Sequence, residues 1–305
     1  MIYKNLIINK NANKKILSFH KMNRLPNAFI FHGNAGSGKE AHAIEFFSLL
    51  NCKNPAEESS CGTCNSCIKT KILQHEFLNI IIPLPRSKKN KKEDFTLATL
   101  TEKQRDELLE QFKLKSENPY YKIHINKANT ILTSSIKDIK RNINLSIPDN
   151  HIKLYLIFEA EKLCFPNQEA ANALLKILEE PKKNHLFILV TSNLEKIIDT
   201  IKSRCVSIYF SQLENSKIES YIKESSREDS NYSKVISQIC QGNVSYAIEL
   251  TKTFKHEIDK TKKMLIYLDD DDFISWNNIF NKNKKIELIK TLNLLNLFFS
   301  YLSKL

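Results

Sequence analysis

The chain has 305 residues, enough for two or three domains and a sizeable core. Its formal net charge of +12, from 46 Lys and Arg against 34 Asp and Glu, would on its own suggest a polyanionic partner, but Lys, Asn and Ile are abundant throughout, so much of that basicity is compositional. No apolar run approaches a membrane span and no secretory pattern opens the chain, so a cytoplasmic location without membrane contact is expected, and the seven cysteines read as metal ligands or free thiols, not disulfides.

Residues 1–28 read as a helical segment carrying Ile16, Leu17 and Phe19, followed by the apolar strand Phe29-Ile30-Phe31. The strand runs into Gly33-Asn34-Ala35-Gly36-Ser37-Gly38-Lys39-Glu40, and a helix is expected over 41–50. Gly33, four residues, then Gly38-Lys39 is the spacing of a phosphate-binding loop, in which glycines let backbone N–H groups curl around phosphate and the lysine reaches the outer phosphates. The next position calls for Ser or Thr, whose hydroxyl ligates Mg²⁺. Here it is Glu40, a carboxylate that like charge would repel from a triphosphate. The loop has the form of a nucleotide site and a defect in its chemistry.

Cys52, Cys61, Cys64 and Cys67 follow, spaced C-x8-C-x2-C-x2-C in a turn-rich stretch. Four thiolates so placed suit a structural, tetrahedral Zn²⁺. An iron–sulfur cluster is the competing reading, but its usual run has the fourth cysteine three residues downstream and then proline, where this chain has Lys71.

The Ile-rich run 77–83 is a buried-strand candidate, ended by Pro83 and Pro85. Then the composition shifts. The basic run 86–94, the polar helical stretch 101–116 and Pro119-Tyr120-Tyr121 are expected to form an insertion over about 86–124 that loops out of the core, the lysines reading as a solvated tether. Helical periodicity returns over 133–144 through Ile136, Ile139 and Ile143.

A second buried strand is expected at 153–158. In phosphate-loop ATPases an aspartate at that strand's end holds the metal and a glutamate orients the attacking water. Phe158 occupies the aspartate position and Glu159 remains, so two defects fall in one metal site. The helix 167–180 follows, with Leu174, Leu175 and Leu178 on one face and Pro181 as its stop. A third strand at 186–191, a helix at 194–203, Ser203-Arg204-Cys205 and a strand at 206–210 complete the α/β part. Residues 212–252 read as a small helical domain, the last fifty as helical, and 269–272 as a solvated loop.

The phosphate loop, the cysteine cluster after it, the strand ending at Glu159, the AANALLKILEEP helix and the Ser-Arg-Cys turn, in this order, resemble the clamp-loader branch of the AAA+ ATPases over about 25–250. The resemblance implies an AAA+ phosphate-loop core with a parallel sheet over 1–211, with an inserted zinc module at about 52–67. It further implies a small helical lid over 212–252 and a C-terminal helical collar segment over 253–305. The branch's motor (gamma/tau) subunits need the loop Ser/Thr, the strand Asp and an arginine in the lid, and this chain has Glu40, Phe158 and Ser245 there. It is therefore similar to the non-motor, delta-prime type of the bacterial DNA polymerase III loader. That likeness implies no intrinsic ATPase and argues against ATP or Mg²⁺ binding by this chain. It also implies that Arg204 acts in trans as an arginine finger on a neighbouring motor subunit. The implied partners are the motor and delta subunits, with the sliding clamp and primed DNA reached through the complex. An active motor-like ATPase using Glu40 and Glu159, and a stand-alone DNA-binding zinc protein, are the alternatives. No aromatic lies between Cys52 and Lys71 to serve the second.

Overall fold

The computed structural model describes residues 1–22, 24–86, 95–225 and 232–253, with isolated positions beyond. The chain divides into two compact units, Met1–Gln212 and Leu213–Leu305. The expected C-terminal collar segment lies almost wholly outside the described residues, as does most of the basic run at 86–94.

The first unit contains, in order, α1 (Lys10–Lys21), β1 (Ala28–Gly33), α2 (Lys39–Leu50), α3 (Asn65–Lys71), β2 (Leu78–Ile81), α4 (Glu102–Glu117) and α5 (Thr133–Asn142). It continues with β3 (Lys153–Ile157), α6 (Glu169–Glu179), β4 (His185–Thr191), α7 (Asp199–Lys202) and β5 (Val206–Phe210). The five strands make one sheet in the order β2-β3-β4-β1-β5, every pair parallel. This is a parallel α/β core with the phosphate-loop motif after its strand β1.

Parallel sheets are covered on both faces, which is why their strands read as continuous apolar runs. Every residue of β3 and β4 is buried. One face presents Ile30, Tyr155, Ile157, Phe187 and Leu189 to Ile136, Ile139, Leu174 and Leu178 of α5 and α6. Alternation sends Phe29 and Phe31 to the other face, where Phe29 meets Phe19 of α1 and Phe46 of α2, and Phe31 meets Phe210 of β5. Helix α2 is apolar nearly all round because it is buried nearly all round, Ala41 to Leu49 contributing eight buried residues.

Two stretches depart from expectation. The helix expected at 194–203 is interrupted: a 3₁₀ turn covers Leu194–Lys196, Ile197 and Ile198 are extended, and only Asp199–Lys202 is α-helical. Burying Ile197 and Ile201 fixes the backbone here more than local propensity does. The stretch expected to loop out at 86–124 instead returns to the core: Leu108, Lys115, Tyr120 and Ile123 are all buried.

The second unit holds α8 (Asn215–Ser225), α9 (Ser233–Ile239) and a helix from residue 244, entered through Gln241 and Gly242 at positive φ. Ile218, Ile222, Ile236, Val244, Ala247 and Leu250 are buried within it. Among the described residues no helix is long and apolar enough to cross a membrane.

Candidate functional site

The phosphate loop joins the carboxyl end of β1 to the N-terminus of α2, where open parallel sheets place ligands. Two of its glycines have specific reasons. A Cβ at Gly33 would lie 2.2 Å from the carbonyl oxygen of Phe210, so the close approach of β1 to β5 excludes any side chain. Gly38 is the N-cap of α2 at φ 83°, a left-handed conformation that glycine adopts without a Cβ clash. Gly36 is also left-handed, at φ 68°.

Lys39 does not reach outward. Its Nζ turns back to donate to the carbonyls of Gly33 at 2.7 Å and Asn34 at 2.6 Å, with Ser192 Oγ at 3.4 Å. The side chain is buried, and burial lowers its pKa from 10.5 to about 8 against the opposing pull of Glu40 and Glu161. Beneath the loop, buried His42 closes a relay. Its Nδ1 bonds the Gly38 carbonyl at 2.8 Å and its Nε2 accepts from the Asn9 backbone N–H at 3.1 Å. That pattern requires the neutral ring, and burial pushes its pKa down to about 4.

Glu40 and Phe158, the two departures from the phosphate-loop ATPase pattern, share a partner. Glu40 is ion-paired to Lys115 of α4, a side chain only 1% exposed. The same ammonium donates to the carbonyls of Pro119 at 3.1 Å and Tyr121 at 2.7 Å, so all three donors are used. It also lies over the ring of Phe158, 5.5 Å from the centroid. Glu159, next along, is left-handed at φ 48°, a conformation costing a non-glycine residue about 1–2 kcal/mol. Its carboxylate accepts from Lys122 at 2.8 Å and Lys162 at 3.1 Å. Burial would raise the Glu159 pKa, but the two lysines outweigh it and hold the carboxyl below its usual range. Glu161 is anchored separately by the hydroxyl of Thr191, at 2.6 Å.

The four cysteines converge from the loop after α2 and from the start of α3, which Cys64 caps. Their Sγ atoms all lie within 4.8 Å of one another, with Cys64–Cys67 at 3.4 Å, Cys52–Cys67 at 3.6 Å and Cys61–Cys67 at 3.8 Å. A tetrahedron of Zn–S bonds of about 2.3 Å has edges near 3.8 Å, so the thiols fit a metal of that size. Backbone N–H groups already point at them: Cys61 N at Cys52 Sγ, 3.2 Å, and Cys64 N at Cys61 Sγ, 3.3 Å. Such bonds favour thiolate, and those from Thr63 and Cys64 draw the Cys61 thiol down to about 5. The α-amino group of Met1 donates to the Ser60 carbonyl at 2.6 Å, docking the chain's first residues on this module.

Arg204 sits in the turn between α7 and β5, on the surface. Its guanidinium donates to the Thr200 carbonyl at 2.9 Å and to Glu179 at 2.8 Å. Neighbouring Cys205 packs inward, and burial pushes its thiol up to about 12. The structure thus brings Gly33, Gly36, Gly38, Lys39, Glu40, Phe158 and Glu159 together. Arg204 and the cysteines form two further places, and Ser245 lies in the second unit on the helix from residue 244. The sequence reading missed Lys115 and Lys122. Their signal was indirect, since a carboxylate entering a buried helix needs a cation from somewhere.

This combination defines a class: a parallel α/β phosphate-loop core with a four-cysteine module, its loop lysine turned inward. The sequence matches the family described as "DNA polymerase III, delta subunit" over residues 8–214. The chain belongs to that family, within the clamp-loader proteins. It is 24% identical over 244 residues to DNA polymerase III subunit delta' of Bacillus subtilis, covering 80% of this chain and 59% of the relative. It is 27% identical over 236 residues to DNA polymerase III subunit gamma of Buchnera aphidicola, covering 76% and 51%. The chain therefore spans only half to three fifths of these relatives' lengths. A solved RuvB branch-migration motor from Thermotoga maritima aligns loosely, at 14% identity and TM-score 0.43, over 95% of this chain and 70% of that one.

Proposed function

We propose that this chain is a non-motor, delta-prime-type subunit of a DNA polymerase III clamp loader, one that does not hydrolyse ATP itself and completes a neighbour's active site with Arg204. The observation carrying the reading is the contrast between two places on one unit. The chain's own phosphate loop is closed, Lys39 being bound to loop carbonyls and Glu40 to Lys115. Arg204, in contrast, stands exposed at a turn whose backbone is fixed by α7 and β5. A planar guanidinium held at a rigid edge suits contact with the γ-phosphate of a nucleotide bound next door.

On this reading 1–211 is the AAA+ core, 212–252 a lid and 253–305 a collar segment that joins the motor and delta subunits. The complex opens the sliding clamp and places it on primed DNA in the cytoplasm, and the four cysteines hold a structural Zn²⁺. When bound, that metal supplies cross-linking of the 52–67 loop to α3 and no open coordination position for chemistry. The motor-like alternative loses support from the closed loop.

The test is reconstitution of the full chain with its organism's motor and delta subunits. A stable complex that loads clamps, and an isolated chain without measurable ATP turnover, are the expected results. Turnover by the isolated chain, or failure to join the other subunits, overturns the reading.

A further inference from the structure

The positions of Glu40 and Phe158 are those from which a phosphate-loop ATPase holds its Mg²⁺. Taken separately they are two losses. Here both face one ammonium: Lys115 is ion-paired to Glu40 and lies 5.5 Å from the centroid of Phe158. The carbonyls of Pro119 and Tyr121 complete its shell, and the side chain is 1% exposed. A buried cation with a carboxylate, two carbonyls and an aromatic face around it is in a built site.

The same segment covers the rest of the loop. A Cβ placed on Gly38 would lie 3.4 Å from the Tyr120 ring, and the Tyr120 hydroxyl accepts from the Ile7 N–H at 2.8 Å. Lys122 bridges to Glu159 at 2.8 Å. Residues 115–122 therefore place two cations against the two carboxylates at the metal end of the site, while Lys39 satisfies itself on the loop carbonyls.

We propose that the segment 115–122 is the resident occupant of the phosphate-loop site, with the Lys115 ammonium replacing the divalent cation and excluding metal–nucleotide. Glu40 and Phe158 are then not decay but one half of a matched set, Lys115 being the other half. This deepens the closed-site part of the proposed function and is independent of Arg204: it can fail while the trans role stands.

The experiment uses the full chain and two probes. The first is stability in urea of wild type, Glu40→Gln, Lys115→Met and the double variant. Removing one partner of a buried pair leaves the other uncompensated, so Lys115→Met should raise the unfolding constant roughly 10²–10³-fold. Adding Glu40→Gln to Lys115→Met should recover at least tenfold of that loss. The second probe is MgATP itself, read as a rise in Tm, since a ligand that binds only the folded state raises Tm. Wild type should show none at millimolar MgATP, and Glu40→Thr combined with Lys115→Ala should show a rise. Additive effects of the two substitutions, a rise in wild-type Tm at millimolar MgATP, or no gain in the opened variant would each overturn the proposal. If Lys115→Met does not fold, Glu40→Gln alone decides: it should destabilise at least tenfold by leaving the buried ammonium without its carboxylate, and neutrality would sink the pairing.

Discussion

Glu179 and Arg204 are tied by a 2.8 Å ion pair that links the last residue of α6 to the turn after α7. The guanidinium is 37% exposed and the carboxylate 43%, so the pair contributes no more than about 1 kcal/mol and exchanges readily for a stronger acceptor. On the proposed reading, a γ-phosphate in a neighbouring subunit would be such an acceptor, and Glu179, the penultimate acid of the AANALLKILEEP helix, would hold Arg204 until then.

Arg204→Ala should fold and assemble normally. Arginine fingers acting in trans contribute about 10³–10⁵ in rate in GTPases, or roughly 4–7 kcal/mol of transition-state stabilisation at the one site served. A loader has several ATP sites, so clamp loading should fall further than total ATPase. Arg204→Lys should rescue poorly because it lacks the planar fork. Clamp- and DNA-stimulated ATPase measured beside clamp loading is the check, and loading at the wild-type rate by an assembled Arg204→Ala complex reduces this chain to a scaffold.

Glu179→Gln separates the holding contact from the working one. The variant should keep its stability to within about 1 kcal/mol, as exposed pairs do, and should load clamps at least as fast as wild type. Loss as deep as that of Arg204→Ala would mean that the pair, not the free guanidinium, is the working element.

What was legible in the sequence follows from which forces act locally. The central strands showed because burial on both faces leaves apolar runs, whereas the edge strand β5, with Ser207 and Tyr209 exposed, showed by alternation and was bounded to the residue. The thiol cluster showed because its ligands lie close together along the chain. Glu40 and Phe158 showed only as departures from a pattern. Their partner, Lys115, lies 75 residues beyond Glu40 in a helix whose other lysines are half or fully exposed, and nothing local marks it as buried. A lysine run reads as a solvated face by default. The break at Ile197 and Ile198 was hidden for a similar reason: their apolar spacing fits a helix, and the choice of extended backbone is made by tertiary burial.

Purified chain should carry about one zinc, be colourless, and lose the metal to a strong chelator with a fall in Tm. Replacing Cys64 by Ser removes one of four ligands and should destabilise by several kcal/mol, since in such modules metal binding supplies folding free energy. The effect should appear in stability and not in any chemistry of the isolated chain, because a four-thiolate site is closed. Bound iron with visible absorbance would replace zinc by an iron–sulfur centre.

The last prediction concerns Lys39 and pH. Burial holds its folded pKa near 8 against an ordinary value of 10.5. A lysine whose folded pKa is lowered is disfavoured in its charged form by the fold, so the unfolded chain binds the proton more tightly. The destabilisation is complete below about pH 8 and is relieved as pH rises toward about 10.5, beyond which both states are neutral at this site. At about 1.4 kcal/mol per pKa unit the gap is worth about 3 kcal/mol. Tyr3 and Cys205, whose pKa values burial raises, ionise in this range in the unfolded chain but not in the folded one, so wild type alone does not isolate the effect. The difference between wild type and Lys39→Met does, because those groups are common to both chains. In urea unfolding at a series of pH values, wild type should gain on Lys39→Met by up to about 3 kcal/mol between about pH 8 and 10.5, with a flat difference below. A difference that stays constant across that range would mean that Lys39 is solvated in the folded chain, with its phosphate loop open.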